Sequence, residues 1–192
     1  MKFKISIFLP LLAVLFSGCV VSNTPVGDKV AELKPAVWNA KWRDGNGEIG
    51  WTKIKDAKLG VVEVGTSEPW PGLARSTQEI LVRNLGPLVI ANEKSNDAPG
   101  FGYEFGRLSI DAKHLVVFGA NEPSFASLVK RHEIAGKLDK DKDGKPNGSC
   151  FLERFSDKDY RRLKEEGFDV RSLFNEDPDT VLVRDKWTPF WW

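Results

Sequence analysis

Between Val37 and Phe118 apolar residues recur at alternate positions in short runs, and each run stops at glycine, proline, asparagine or aspartate. That cadence constrains the fold more than any other feature. A period of two turns one face of a strand inward, and short turns force neighbouring strands to run antiparallel. In the first run, Val37 to Arg43, Trp38, Ala40 and Trp42 alternate with Asn39, Lys41 and Arg43. Asp44-Gly45-Asn46-Gly47 supplies the positive-φ residues of a tight hairpin, and Ile49 and Trp51 are expected to continue the apolar face on the return strand.

Leu59 to Val64, Gln78 to Arg83 and Leu88 to Ala91 read as further strands, with Glu93 to Gly100 a polar loop. Glu68-Pro69-Trp70-Pro71-Gly72 is a turn whose prolines cannot donate to a ladder, and Trp70 is placed to cap one barrel end. In Phe101 to Ile110, Phe101, Tyr103 and Phe105 share one parity while Leu108 and Ile110 take the other. The phase changes at Gly106, which predicts a bulge there. His114 to Phe118 returns as a strand.

Helices follow. Asn121 and Pro123 open one whose apolar stripe is Phe125, Leu128, Val129 and His132, with Gly136 as its expected end. After a short strand from Cys150 to Arg154, Ser156 and Asp159 form a capping-box pair ahead of a helix that stops at Gly167. Asp169 to Phe174 adds a helical turn, and Thr180 to Val183 is the last strand. The sum is a mainly β (α+β) fold: an antiparallel barrel or strongly curved sheet of about eight strands, with one mid-chain helix and one or two C-terminal helices.

The first nineteen residues read differently. Lys2 and Lys4 precede an apolar run from Ile5 to Phe16, interrupted by Ser6 and Pro10, and small residues follow. Basic start, short apolar core and small residues describe a secretory signal peptide, and the run falls short of the about 20 apolar residues of a membrane span. Leu15-Phe16-Ser17-Gly18-Cys19 resembles the lipobox of bacterial lipoproteins. The resemblance implies diacylglycerol on the Cys19 thiol, cleavage just before it and acylation of the new amino group. Val20, where inner-membrane lipoproteins of enteric bacteria often carry Asp, implies the outer membrane, facing the periplasm. The expected division is therefore residues 1–18 as lipoprotein signal peptide, 19–35 as lipid anchor and tether, and 36–192 as a single globular β-rich domain. The tether reading rests on Ser, Asn, Thr, Pro and Gly with little periodicity.

Lipid on Cys19 leaves Cys150 as the other cysteine of the chain, so no internal disulfide forms and stability comes from packing. Loss of Lys2 and Lys4 leaves 26 basic against 27 acidic residues, a net charge of −1. Such a chain has no electrostatic footprint for nucleic acid.

Candidate chemistry is sparse. Asp139-Lys140-Asp141-Lys142-Asp143-Gly144 has oxygens at alternate positions before a glycine, as in the first half of an EF-hand-type loop, with Asn147 at the ninth position. Asp139, Asp141, Asp143 and Asn147 are thus candidate calcium ligands, although Cys150 stands where the bidentate Glu belongs. The competing reading is a solvated turn whose lysines neutralise its acids. His114 and His132 have no readable zinc or triad partner, and no Gly-x-Ser-x-Gly elbow occurs, so no catalytic residue is assigned. The Gly102-Tyr103-Glu104-Phe105-Gly106 stretch lacks phosphate-loop spacing. Trp187 to Trp192 resembles the aromatic end of outer-membrane barrels, but the strands are too few and too charged, which leaves an aromatic plug.

Ala36-Val37-Trp38 stands where lipocalins carry Gly-x-Trp on their first strand, and the element order resembles lipocalin-like barrels. Gly102 to Arg107, Leu115 to Phe118 and Phe125 loosely resemble small bacterial lipoproteins of no assigned activity. A cavity lined by Trp38, Trp42, Trp51, Tyr103 and Phe105 would hold a small apolar ligand. The functional expectation is a non-catalytic, membrane-anchored module that binds such a ligand or an envelope protein partner, with a calcium-stabilised structural lipoprotein as the alternative.

Overall fold

Eight strands close into an antiparallel barrel in the computed structural model, which describes residues 20–67, 77–94, 102–140, 142–144 and 146–185. In chain order these are β3 (Ala40–Arg43), β4 (Ile49–Asp56), β5 (Val61–Ser67), β6 (Thr77–Leu85), β7 (Leu88–Lys94), β8 (Tyr103–Ile110), β9 (His114–Gly119) and β12 (Thr180–Arg184). Consecutive strands pair as hairpins from β3 to β9, and β12 fills the gap between β9 and β3. Closure leaves these strands no open edge, the expected outcome for many short apolar runs joined by tight turns. The barrel with a few helices anticipated from the sequence is the one found.

Turn chemistry fixes the first hairpin. Asp44 Oδ1 accepts from the Asn46 and Glu48 backbone N–H groups at 2.9 and 2.8 Å, and Gly47 adopts φ +85. The register sets Ala40 opposite Thr52 and Trp42 opposite Gly50. Ile49 and Trp51 therefore lie on the outer face, opposite to the expectation that they continue the Trp42 face. Nor is Val37 to Arg43 one strand: Pro35–Trp38 forms a helical turn, α1, which Pro35 starts and which leads into β3. Trp38 reaches the barrel interior from that turn.

Alternation along β8 separates two cores that share one wall. Leu108 packs inside the barrel with Trp38, Trp42, Val62, Val82 and Val117. Phe105 faces out, into a second layer built from α2 (Glu122–Lys130), α3 (Asp157–Glu165), the 3₁₀ turn Val170–Leu173 and three further strands. Phe125 of α2 is fully buried and meets Phe105, Phe155 and Phe174 edge-on, with centroids at 5.4, 5.6 and 6.5 Å. Gly106 carries no bulge. Pairing with β7 is unbroken there, and what changes is the other neighbour, β1 (Val20–Ser22) at Tyr103 and Glu104, then β9 from Gly106 onward.

Both helix starts follow their caps. Asn121 accepts from the Ser124 N–H at 3.1 Å, and Asp159 accepts from the Ser156 N–H and hydroxyl at 3.0 and 2.6 Å. α2 ends at Lys130, before the expected stop. His132 is exposed with φ 58 rather than on the apolar stripe, and Gly136 begins β10 (Gly136–Lys140). β10 pairs with β11 (Pro146–Leu152), so the segment read as a metal-like loop is a hairpin.

The segment read as a tether is built into the fold. β1 pairs in parallel with β11 and antiparallel with β8, and Val20 and Ser22 are buried. The buried Val26 is clasped by Asn92, whose Oδ1 accepts from its N–H at 2.6 Å and whose Nδ2 donates to its carbonyl at 3.2 Å. β2 (Lys29–Val30) pairs with β6, and Ala31 and Leu33 join the barrel core. No segment of 20–34 is left over as a spacer.

Candidate functional site

The barrel interior was the expected ligand site, and among the described residues its core around Trp42 is closely packed. The Trp42 indole donates to Thr52 Oγ1 at 2.9 Å, and the Thr52 hydroxyl donates to the Trp38 carbonyl, so one buried threonine ties the Trp42 indole to the Trp38 backbone. The cavity left between Trp42, Thr52, Val64, Ile80, Leu108 and Val117 measures ≈ 20 Å³. That is room for about one water molecule, whereas ligand pockets run to about 300–1,000 Å³.

Of the five aromatics expected to line it, Trp38, Trp42 and Trp51 border this cavity. Trp51 does so from the outer face, where its indole covers Gly65: a Cβ at that glycine would lie 2.5 Å from the ring. Tyr103 and Phe105 are not there. They share the outward parity of β8, and Phe105 belongs to the second core. Alternation along β8 puts both on the opposite side of the wall from Leu108, which does border the cavity.

The acidic segment is a β10–β11 hairpin, and two of its four candidate ligands are described. Asp139 is on β10, and its Oδ1 accepts from the adjacent Lys140 N–H at 2.9 Å. Asp143 is in the turn, where Gly144 adopts φ +76. Asp141 and the Asn147 side chain lie outside what is described. Among the described residues no group of three or more acidic, histidine or cysteine side chains converges on a metal position.

Cys150 is buried, and burial, then the Glu122 carboxylate, pushes its thiol up to about 12, far from a nucleophile. Exposed His114 is 3.6 Å from Asp111, whose carboxyl is held below its usual range by the Lys113 and His114 backbone N–H groups. A wide surface cleft of ≈ 660 Å³ runs past His132, Glu133, Glu153, Lys158 and Arg162, but Arg162 is already spent on the Glu133 carbonyl and Glu166.

One pair was missed. β7 extends through Glu93, which the sequence reading had placed in a polar loop. Val89 and Ala91 belong to the barrel core, so the next residue of that parity, Glu93, also faces inward, opposite Glu104 on β8. Glu93 is 9 % exposed, and its Oε2 has no hydrogen-bond partner. Burial, then Glu104, raises its carboxyl to about 7. Alternation from Val89 was the available signal, overridden by the polar composition that follows.

No helix among the described residues is long and apolar enough to cross a membrane. Cys19, Trp70 and the Trp187 to Trp192 tail lie outside the described residues. Compared with protein-family models, curated proteins and solved structures, the chain matches none.

Proposed function

We propose that this chain is a lipid-anchored lipoprotein of the bacterial envelope, a non-catalytic module that meets a protein partner with its outer surface. Ser17-Gly18-Cys19 at the end of a short apolar run supports the anchor, and Val20 after the cysteine supports the outer membrane, facing the periplasm. The observation that carries the choice of partner over apolar ligand is the ≈ 20 Å³ left between Trp42, Thr52, Val64, Ile80, Leu108 and Val117 in the described barrel core. A lipocalin-like cup needs more than ten times that space.

This reading has a geometric consequence. Cys19 is one residue from Val20, a step of about 3.8 Å, and Val20 is 1 % exposed within a three-stranded pairing. An anchor on Cys19 therefore holds the domain against the bilayer with no slack, in one orientation. Several acyl chains at about 0.8 kcal/mol per buried CH₂ make such an attachment stable.

Fractionation tests the anchor. The wild type should sediment with membranes and its Cys19→Ser variant should be released; a variant that stays in the membrane fraction refutes lipidation at that residue. Saturable binding of a fatty acid or a hydrophobic dye to the folded barrel would refute the surface reading.

A further inference from the structure

We propose that Arg107 and Arg171 form a binding site for a phosphate group on the outer wall of the barrel. Arg107 is on β8, and its guanidinium stacks on the ring of Phe118, the residue opposite on β9, 3.7 Å from the centroid. Its Nε is buried and has no hydrogen-bond partner. The arginine ion pairs of the described residues belong to Arg43, Arg131, Arg154 and Arg162, and neither Arg107 nor Arg171 joins one. Taking a charge out of water without a partner is costly, and an anion is what offsets it.

The 3₁₀ turn Val170–Leu173 brings Arg171 to the same place. That turn is pinned at the end of β9: the Leu173 carbonyl accepts from the Asn121 N–H at 2.8 Å, and Phe174 bridges Ala120. The two charges sense each other, since burial and then the Arg171 guanidinium lower the Arg107 pKa. Two nearby acids are engaged elsewhere. Asp169 Oδ1 accepts from the Arg171 backbone N–H at 3.0 Å, and the Asp179 carboxylate accepts from the Gly119 N–H and Asn175 Nδ2 at 2.6 and 3.1 Å. Arg171 is exposed and Arg107 half-buried, so an anion reaches them from solvent and needs no enclosed cavity.

The class of anion follows from the donors. A guanidinium is a planar fork that matches phosphate oxygens, and two of them offer more donors and charge than one carboxylate uses. Stacking on Phe118 holds the Arg107 fork in one plane before the anion arrives. The source of the phosphate follows from position. Val21 is opposite Glu104, so Val20 falls level with Phe105, two residues from Arg107 on the same outward face. With the lipid anchor proposed above, the site is therefore at the level of lipid headgroups and their phosphates. Only this source rests on the anchor; the site itself does not.

Isotope-labelled full-length protein in an uncharged, phosphate-free detergent, titrated with inorganic phosphate at constant ionic strength, tests the site. The Arg107 Nε–H resonance is the probe, because that group is sealed from solvent. It should shift saturably with phosphate and less with acetate. Arg171→Gln, a change at an exposed position, should weaken the phosphate response about tenfold, the worth of one charge-assisted hydrogen bond. Arg171→Lys should restore part of it. No saturable shift, an equal response to acetate, or a response unchanged in Arg171→Gln would overturn the proposal. Lipid nanodiscs without phosphate buffer then distinguish the sources. A resonance already at its phosphate-bound position, and unresponsive to added phosphate, assigns the site to lipid; one that still titrates assigns it to soluble phosphate. A protein that fails to join the discs refutes the anchor, and the detergent titration alone then decides the site.

Discussion

The two faces of the barrel wall are built on different principles. Inside, most side chains come from consecutive hairpins, with Leu182 of β12 joining from far along the chain, and indoles, valines and leucines pack around a cavity of ≈ 20 Å³. Outside, the second core joins the start of the described chain to residues 120–174: Val20 and Val26 share it with Phe125, Phe155, Leu163 and Phe174. The barrel is a local structure with a readable period. The outer layer is a non-local one, and it consumes the segment that would otherwise have been a spacer.

If the layer is a full partner in stability, damage to it should be as severe as damage to the barrel. Phe125→Ala removes the ring at the centre of three edge-on contacts and should cost about 3–5 kcal/mol. Urea unfolding should show one cooperative transition at a lower midpoint. A two-step transition, with the barrel unaffected, would mean that the layer is an accessory.

Asn92→Ala cuts a buried polar link between the two regions. It strands the Val26 N–H and carbonyl and the Leu81 carbonyl, at a cost of about 1–3 kcal/mol. Hydrogen exchange at the Val26 amide should accelerate more than the global loss accounts for. Equal acceleration everywhere would show that Val26 is released only on global unfolding.

Glu93→Gln has the smallest effect at neutral pH, and it is best read as a pH profile. In the wild type the folded state holds a proton up to about 7 against an ordinary value of 4.5. Folding therefore binds protons in that window, so stability contributed by the neutral form is present below 4.5 and is lost as pH rises through about 7. The variant should flatten that decline. An unchanged slope would assign it to another group.

Legibility followed the same division. The Asp44 hairpin, the Asn121 cap and the Ser156–Asp159 capping box were readable because their partners lie within four residues, where turn and cap chemistry acts. Trp38 mimicked a strand residue because a helical turn can deliver a side chain to the same interior. The Ile49 and Trp51 faces were misjudged because register, which sets Trp42 on Gly50, depends on the whole turn. Residues 20–34 were hardest. Their strands are two or three residues long, too short for any period, and Val26 owes its place to an asparagine 66 residues away. In the candidate site, three of the five expected aromatics meet, whereas Glu93 was hidden by the polar run after it.

The central claim is that the chain becomes part of the fold immediately after Cys19. Hydrogen exchange of residues 20–26 in the membrane-bound protein, compared with its Cys19→Ser variant, tests it most directly. The account predicts matching protection in both, at the level of β7 and β8. Rapid exchange of those amides in the membrane-bound form, with the barrel still protected, would contradict it and restore the segment as a tether.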